Sequence, residues 1–161
     1  MILDDKLASG EPIVLDGAIG SEIARLGGAM HDAAWCGVAN RTHPDIVRRV
    51  HETYLEAGAD VATANTFTTC RHVLAAADLA DEAAAITREA AALAKEAVQR
   101  VASDRPVAVA GSMSNMLAWQ PGTFSVDPRF VPAADREAAN YTLSRHVAHQ
   151  SRDKAWGACE S

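Results

Sequence analysis

Three short apolar runs alternate along the chain with longer segments of helical pattern. They recur about every 45 to 50 residues, which predicts parallel strands joined by right-handed crossovers. Each run ends in a polar or flexible pair, as buried parallel strands often do. The predicted fold class is therefore α/β. The runs lie at 13–15, 59–64 and 107–110, and the pairs that follow them are Asp16-Gly17, Asn65-Thr66 and Gly111-Ser112.

The segments between the runs carry helix signals of different strength. A short helix is predicted over 21–26, with Ser21 as its cap and two glycines as its stop. Pro44 stands where a first helical residue would, after Thr42 or His43 as a cap, and apolar residues then recur at helical spacing. A long crossover helix is predicted over 81–101, which is rich in good helix formers. Another helical stretch begins near Ala133, but no fourth strand pattern follows it.

Composition narrows the function classes. The chain has 161 residues, 48% of them hydrophobic and 22% charged, which is typical of a globular protein. A formal net charge of -6 argues against nucleic acid as a partner. No secretory or membrane-spanning segment is evident, so we expect a cytoplasmic protein with no membrane partner. Cys36, Cys70 and Cys159 are odd in number and lack Cys-x-x-Cys spacing, which predicts free thiols.

Asp16 is the first candidate for chemistry. A buried strand that ends in an aspartate, followed by Gly17, Gly20 and a helix, can present a carboxylate to a substrate ammonium group. The alternative is a solvated turn aspartate, because Asp-Gly is a common turn dipeptide. Neither a complete dinucleotide fingerprint nor a phosphate-binding loop is present. The stretch 58–69 places an aromatic among hydroxyls and an amide, which indicates either a pocket wall or a capped turn.

Three motifs in this order resemble the homocysteine S-methyltransferase family. They are Leu15-Asp16-Gly17-Ala18-Ile19-Gly20, then Ala57-Gly58-Ala59-Asp60 leading to Asn65-Thr66-Phe67, and then Ala110-Gly111-Ser112. The resemblance covers roughly residues 10 to 141. Members of the family fold as (β/α)₈ barrels, so the resemblance implies an incomplete TIM barrel, about the first three βα units. The corresponding domain would be 1–141, with an unmatched tail at 142–161.

The resemblance also implies a substrate and a site. The family transfers a methyl group from a methyl donor to the thiolate of homocysteine, giving methionine, and it holds the homocysteine through zinc. Asp16 would bind the homocysteine amino group, with Gly17 beside it, and Ser112 would lie at the next strand end. Trp35, Thr66 and Phe67 would line the pocket.

The sequence departs from the family at the metal. The family's zinc ligands include an adjacent cysteine pair near the end of the barrel, and this chain has no Cys-Cys and lacks the family's glutamate after a fourth strand. Cys36 and Cys70 lie in the wrong region to be those ligands. Two further pairs of possible donors, Cys70 with His72 and His146 with His149, stand in no second matching cluster. We therefore predict no metal ligand in this chain.

A closed barrel typically needs about 250 residues. We therefore expect a truncated or frame-disrupted member that is inactive alone, whose open sheet edges favour self-association. Two other interpretations stay open. One is a non-catalytic half-barrel fragment, and the other is a small open-sheet α/β domain that binds a metabolite.

Overall fold

The computed structural model describes residues 2–113, which form helices around a small open parallel sheet. Strands β1 (Val61–Ala64) and β2 (Ala108–Gly111) pair in parallel, with Val61 opposite Ala108. This arrangement confirms the predicted α/β class and two of the three predicted strands. Within the described range the helices are α1 (Ile2–Ser9), α2 (Ile19–Arg25), α3 (Ala39–Thr42), α4 (Pro44–Glu56), α5 (Arg71–Leu74) and α6 (Ala83–Val101), with 3₁₀ turns at Cys36–Val38, Ala75–Ala77 and Ala80–Glu82.

The prediction of a regular strand at 13–15 is wrong, because the structure has no regular strand there. Leu15 makes a single parallel bridge to Val61, so the segment runs beside β1 on the side away from β2. Side-chain bonds take the place of a ladder, because the Val14 amide donates to the Asp60 carboxylate at 2.9 Å. The Asp60 amide in turn donates to the Val14 carbonyl at 2.7 Å. The apolar run also predicted burial, yet Leu15 is 67% exposed.

Helix α4 begins at Pro44, as predicted, because the fixed φ and missing N–H of proline suit the first turn. Its apolar stripe is buried, with Val47 and Val50 fully covered. The predicted cap is not formed, since His43 occupies the cap position without a side-chain hydrogen bond to the helix. The helix is followed by Gly58 with a φ of 99°, a conformation that favours glycine.

Helix α2 begins at Ile19, earlier than predicted, so Ser21 lies inside the helix instead of capping it. The predicted stop is confirmed. Gly27 has a φ of 82°, and the Gly28 amide donates to the Ile23 carbonyl at 2.8 Å. This closure turns the chain back over the fully buried Ile23.

Helix α6 is the predicted crossover between β1 and β2. It begins at Ala83, after the residues predicted as its first turn form a 3₁₀ turn. Its buried side carries Ile86, Leu93 and several alanines, which allow close approach to α4 and β1. The Arg100 guanidinium pairs with the Glu52 carboxylate of α4 at 2.9 Å, which ties the outer rims of the two helices together.

Several predictions fall beyond this part of the chain. The helical stretch from Ala133, the tail at 142–161, Cys159 and the pair of His146 and His149 all lie outside the described residues. Within the range that is described, no helix combines the length and apolarity needed to cross a membrane.

Candidate functional site

The carboxyl ends of β1, β2 and the segment at 13–16 meet at one edge of the sheet. Parallel strands place these ends together, and in α/β proteins that edge is where ligands bind. Side-chain hydrogen bonds connect the strand ends at this edge in two places. Asp16 bonds to Thr63 near the end of β1, and the Thr66 hydroxyl donates to the Ser112 carbonyl at 2.7 Å after β2. The structure therefore brings together the polar strand ends that the sequence singled out.

Among residues 2–113, the Asp16 carboxylate accepts hydrogen bonds from one neighbour, Thr63. One oxygen accepts the Thr63 backbone amide at 2.6 Å, and the other accepts the Thr63 hydroxyl at 2.7 Å. The side chain is half-buried at the sheet edge. A carboxylate offers about four lone-pair sites, so two acceptor positions remain for a ligand. Asp16 is thus a carboxylate that β1 orients at the sheet edge. Thr63 was not predicted as its partner from the sequence.

Gly17 packs closely against helix α4. A Cβ placed on it would lie 2.7 Å from the Tyr54 ring, so any larger residue would require the ring or the turn to shift. The Tyr54 hydroxyl donates to the Ala18 carbonyl at 3.2 Å, so the ring presses against this turn and fixes it. The glycine therefore lets helix α4 support the turn that carries Asp16.

Trp35 and Phe67 form an aromatic pair at this end of the molecule. Their ring centroids are 6.5 Å apart and their planes differ by 22°, which is a stacked arrangement. Each side chain is 40% exposed, so both rings present apolar surface to solvent. The two residues come from separate segments, one before α3 and the other after β1. Their stacking creates a wall that an apolar part of a small ligand can contact.

The backbone at Trp35 is strained. Its φ of 48° and ψ of −134° lie in a region that non-glycine residues rarely adopt. Two backbone bonds to His31, of 2.7 and 3.0 Å, close the loop at 31–35. The His31 Nδ1 atom also accepts the amides of Ala33 and Ala34, each at 3.1 Å. These four bonds hold Trp35 in its unusual conformation.

A buried amide network joins the two segments that carry the aromatic pair. The Asn65 side-chain amide donates to the Cys36 carbonyl at 2.9 Å and to Asn40 Oδ1 at 3.1 Å. Asn40 in turn donates to the carbonyls of Asn65 and Gly37, at 2.9 and 3.1 Å. The Cys36 thiol completes the network by donating to Asn65 Oδ1 at 3.1 Å.

The role of this network was missed from the sequence. From the sequence, Asn65 is placed at a strand end, in a family motif and in the candidate pocket wall, but no partner is predicted for it, and Asn40 is not singled out. The signal that could have found Asn40 is its place directly after the apolar stretch at 36–39, because an amide that is buried with such a stretch requires partners.

Among residues 2–113 the thiols and acidic groups do not assemble a metal site. Cys36 and Cys70 are free, and burial raises the pKa of each thiol above its usual value. Cys70 Sγ lies 3.7 Å from His72 Nε2, but no group of three or more His, Cys, Asp or Glu side chains in the described range could hold a metal ion. These residues therefore do not fit the zinc ligand set that the family resemblance implies.

The family model, two sequence relatives and a solved structure that resemble this chain are all methyltransferases. Residues 13–147 match the family model described as homocysteine S-methyltransferase. Homocysteine S-methyltransferase 4 of Zea mays is 46% identical over 48 residues, which are 30% of this chain and 14% of that protein. Selenocysteine methyltransferase of Astragalus bisulcatus is 28% identical over an alignment of 137 residues, and the match covers 74% of this chain and 40% of that protein.

A solved structure shows the same likeness. The homocysteine methyltransferase MmuM from Escherichia coli, in its metallated form, aligns with a TM-score of 0.60 at 26% sequence identity, covering 67% of this chain and 40% of that one. The chain thus spans less than half the length of these relatives. Because the family model matches most of the chain, and the matched region contains the sheet edge described above, the chain belongs to the homocysteine S-methyltransferase family.

Proposed function

We propose that this chain supplies the homocysteine-binding edge of a methyltransferase that converts homocysteine to methionine. In this proposal Asp16 binds the substrate ammonium group, with Gly17 fixing its turn. Trp35 and Phe67 contact the aliphatic part of the substrate, and Thr66 and Ser112 close the adjacent strand end. The observation that carries the proposal is the oriented Asp16 carboxylate, whose acceptor positions beyond the two that Thr63 uses suit an ammonium donor.

The proposed reaction is a transfer to sulfur. A lone pair of the homocysteine thiolate forms the bond to the methyl carbon, and the bond from that carbon to the donor's leaving group breaks with its electron pair. A free thiol has a pKa of about 8.5, so it must be deprotonated to react well at neutral pH. The described residues offer no metal ligand set for this task. We therefore propose that the chain binds substrate but does not methylate it alone.

The proposal also covers the fold of the domain and its location in the cell. We propose that residues 1–141 are the first three βα units of a (β/α)₈ barrel domain, with 142–161 as a separate tail. The parallel order of the segment at 13–16, β1 and β2 supports this arrangement. Free thiols suit a reducing compartment, which supports a cytoplasmic location.

Exposed apolar residues favour a second candidate role, that of a non-catalytic fragment that associates with another chain. Val14 and Leu15 are 49% and 67% exposed, and they lie beside the weakly paired edge of the sheet. An uncovered edge of this kind promotes pairing with another chain, a second copy included. Light scattering coupled to size-exclusion chromatography tests this role. A concentration-independent monomer would count against it.

Calorimetric titration with homocysteine tests the main proposal. We expect the whole chain to bind homocysteine more tightly than its desamino analogue, gamma-mercaptobutyrate, because only homocysteine offers an ammonium group to Asp16. Asp16→Asn should remove this preference, whereas the exposed Asp104→Asn should keep it. Equal affinity of the unaltered chain for both ligands would refute the role of Asp16. A purified chain that methylates homocysteine would refute the proposed inactivity.

A further inference from the structure

We propose that Thr63 is a positioning residue that sets the orientation of the Asp16 carboxylate and thereby the selectivity of the pocket for a substrate ammonium group. The inference rests on the proposed function and deepens it. It concerns how the amino group is recognised, and it assigns that selectivity to the hydroxyl of a residue that need not touch the substrate.

The geometry provides the first argument. Both carboxylate oxygens of Asp16 accept from one residue, the backbone amide of Thr63 at 2.6 Å and its hydroxyl at 2.7 Å. Two donors on a single residue define the plane of the carboxylate, because neither oxygen can rotate away without losing a bond. The backbone bond alone would leave the other oxygen free to swing about the first.

The local backbone provides the second argument. The segment at 13–16 has no regular ladder and touches β1 through one bridge, at Leu15. Asp16 therefore sits just past the last backbone pairing, where a side chain has more freedom than inside a strand. Thr63 lies within β1, which is paired along its length with β2. The Thr63 hydroxyl thus anchors the Asp16 carboxylate, which lies on an irregular segment, to a regularly paired strand.

The chemistry of the pair provides the third argument. A hydroxyl has one proton, and Thr63 donates it to Asp16, so its oxygen can act toward a ligand only as an acceptor. The remaining positions on the carboxylate are also acceptors. The Asp16 and Thr63 pair therefore presents acceptors alone, which favours a cationic multiple donor such as an ammonium group and disfavours an anion.

Replacement by an isosteric residue separates the hydroxyl from the backbone amide. Thr63→Val keeps the β-branched shape and the amide bond but removes the hydroxyl, and Thr63→Ser keeps the hydroxyl. We expect Thr63→Val to reduce the preference of the whole chain for homocysteine over gamma-mercaptobutyrate by about tenfold. Thr63→Ser should retain the preference. The matched control is Thr53→Val on the exposed face of α4, where the hydroxyl donates to the Arg49 carbonyl of its own helix.

The outcomes are distinguishable. If the unaltered chain prefers homocysteine and Thr63→Val, folded by circular dichroism, prefers it equally, the positioning role is overturned while the proposed function stands. If the unaltered chain shows no preference, the proposed function fails. The positioning is then decided by the Asp16 side-chain carboxyl NMR resonance of the unliganded chain. A resonance that shifts in Thr63→Val and is restored in Thr63→Ser supports the orientation by Thr63, and an unchanged resonance in both overturns it.

Discussion

Asp16 and Asp60 lie at opposite ends of the contact between the segment at 13–16 and β1, and each carboxylate accepts a backbone amide from the opposite segment. Asp16 accepts from Thr63 at 2.6 Å, and Asp60 accepts from Val14 at 2.9 Å. Hydrogen bonds to charged acceptors are stronger than neutral ones. The two aspartates therefore join the segments where regular ladder bonds are lacking, and one of them belongs to the candidate site.

The Asp60 end of this contact should be the more important for stability. The Asp60 carboxylate accepts from Val14 and from Lys6 Nζ at 2.8 Å, and these bonds hold its pKa below the usual value. We expect Asp60→Ala to lower the free energy of unfolding in urea, because the Lys6 ammonium group and the Val14 amide both lose their charged acceptor. Lys6→Met should cost less, since it removes a partly exposed ion pair and an exposed hydrogen bond to the Pro12 carbonyl but leaves the bond from the Val14 amide to Asp60 in place. Equal losses from the two variants would contradict this ranking.

The buried His51 predicts a pH dependence of stability. Its side chain is 1% exposed, and burial lowers its pKa from 6.5 to about 4, although the Asp16 charge acts in the opposite direction. The unfolded chain therefore binds a proton below about pH 6.5 that the folded chain binds only near pH 4. Stability should fall as the pH drops through this window, by about 3 kcal/mol in all.

Urea unfolding at a series of pH values checks this, with His51→Leu as the comparison. The variant should lose most of the dependence between about pH 4 and 6.5. The contribution of Asp60 does not interfere. Because the folded pKa of that carboxyl is lowered, its stabilisation is present above about pH 4 and is lost only at lower pH. An unaltered slope in His51→Leu would show that another group produces the dependence.

The helices were the part of the fold that the sequence predicted best, for a physical reason. Helix α4 carries its own signals, a proline at the start and an apolar stripe at helical spacing, and the stripe is buried as expected. The apolar run at 13–15 resembled a buried strand, but its pairing depends on Asp60, some 46 residues away in sequence. Local pattern does not reveal a side chain that replaces a ladder bond.

In the candidate site, too, some residues could be predicted from the sequence and others could not. Asp16 could be singled out because it follows an apolar run and precedes glycines. Its partner Thr63 could not, since the bond between them spans 47 positions and Thr63 has the composition of an ordinary strand residue. The packing of Gly17 could not be predicted either, because its neighbour is a tyrosine on a different element. Sequence identified the groups that could bind a ligand, and the structure identified those that hold them in place.

The buried amides of Asn40 and Asn65 should be energetically coupled. Each bonds to the other and to backbone carbonyls of the facing segment, so removing either leaves buried groups without partners. We expect Asn40→Ala and Asn65→Ala each to cost about 1–3 kcal/mol, and the double variant to cost less than their sum. Gln99→Ala, on the exposed side of α6, is the control and should cost little.

The same network should order the aromatic pair. Asn65 precedes Phe67 by two residues and bonds to the carbonyl of Cys36, which directly follows Trp35. Asn65→Ala should therefore weaken the near-ultraviolet circular dichroism of the stacked rings while the far-ultraviolet helix signal persists. Trp35→Phe identifies the part of the signal that comes from this pair. An unchanged Trp35 signal in Asn65→Ala would separate the network from the aromatic wall.

Packing of Tyr54 against Gly17 should make glycine necessary at that position. Gly17 is not one of the glycines with positive φ in the described range, so alanine is compatible with its backbone. The cost comes from the Tyr54 ring, which lies 2.7 Å from where the new Cβ would stand. We expect Gly17→Ala to destabilise the fold by about 1–3 kcal/mol and to weaken homocysteine binding, because the turn carrying Asp16 must move.

A second background distinguishes steric conflict from a backbone requirement. In Tyr54→Ala the ring is absent, so Gly17→Ala should cost much less there than in the unaltered chain, and a double-mutant cycle in urea measures the difference. The same cost in both backgrounds would mean that the turn itself requires glycine. A smaller loss of stability in the Tyr54→Ala background would show that Tyr54 supports the turn that carries Asp16. Helix α4 would then stabilise the candidate site through this packing contact.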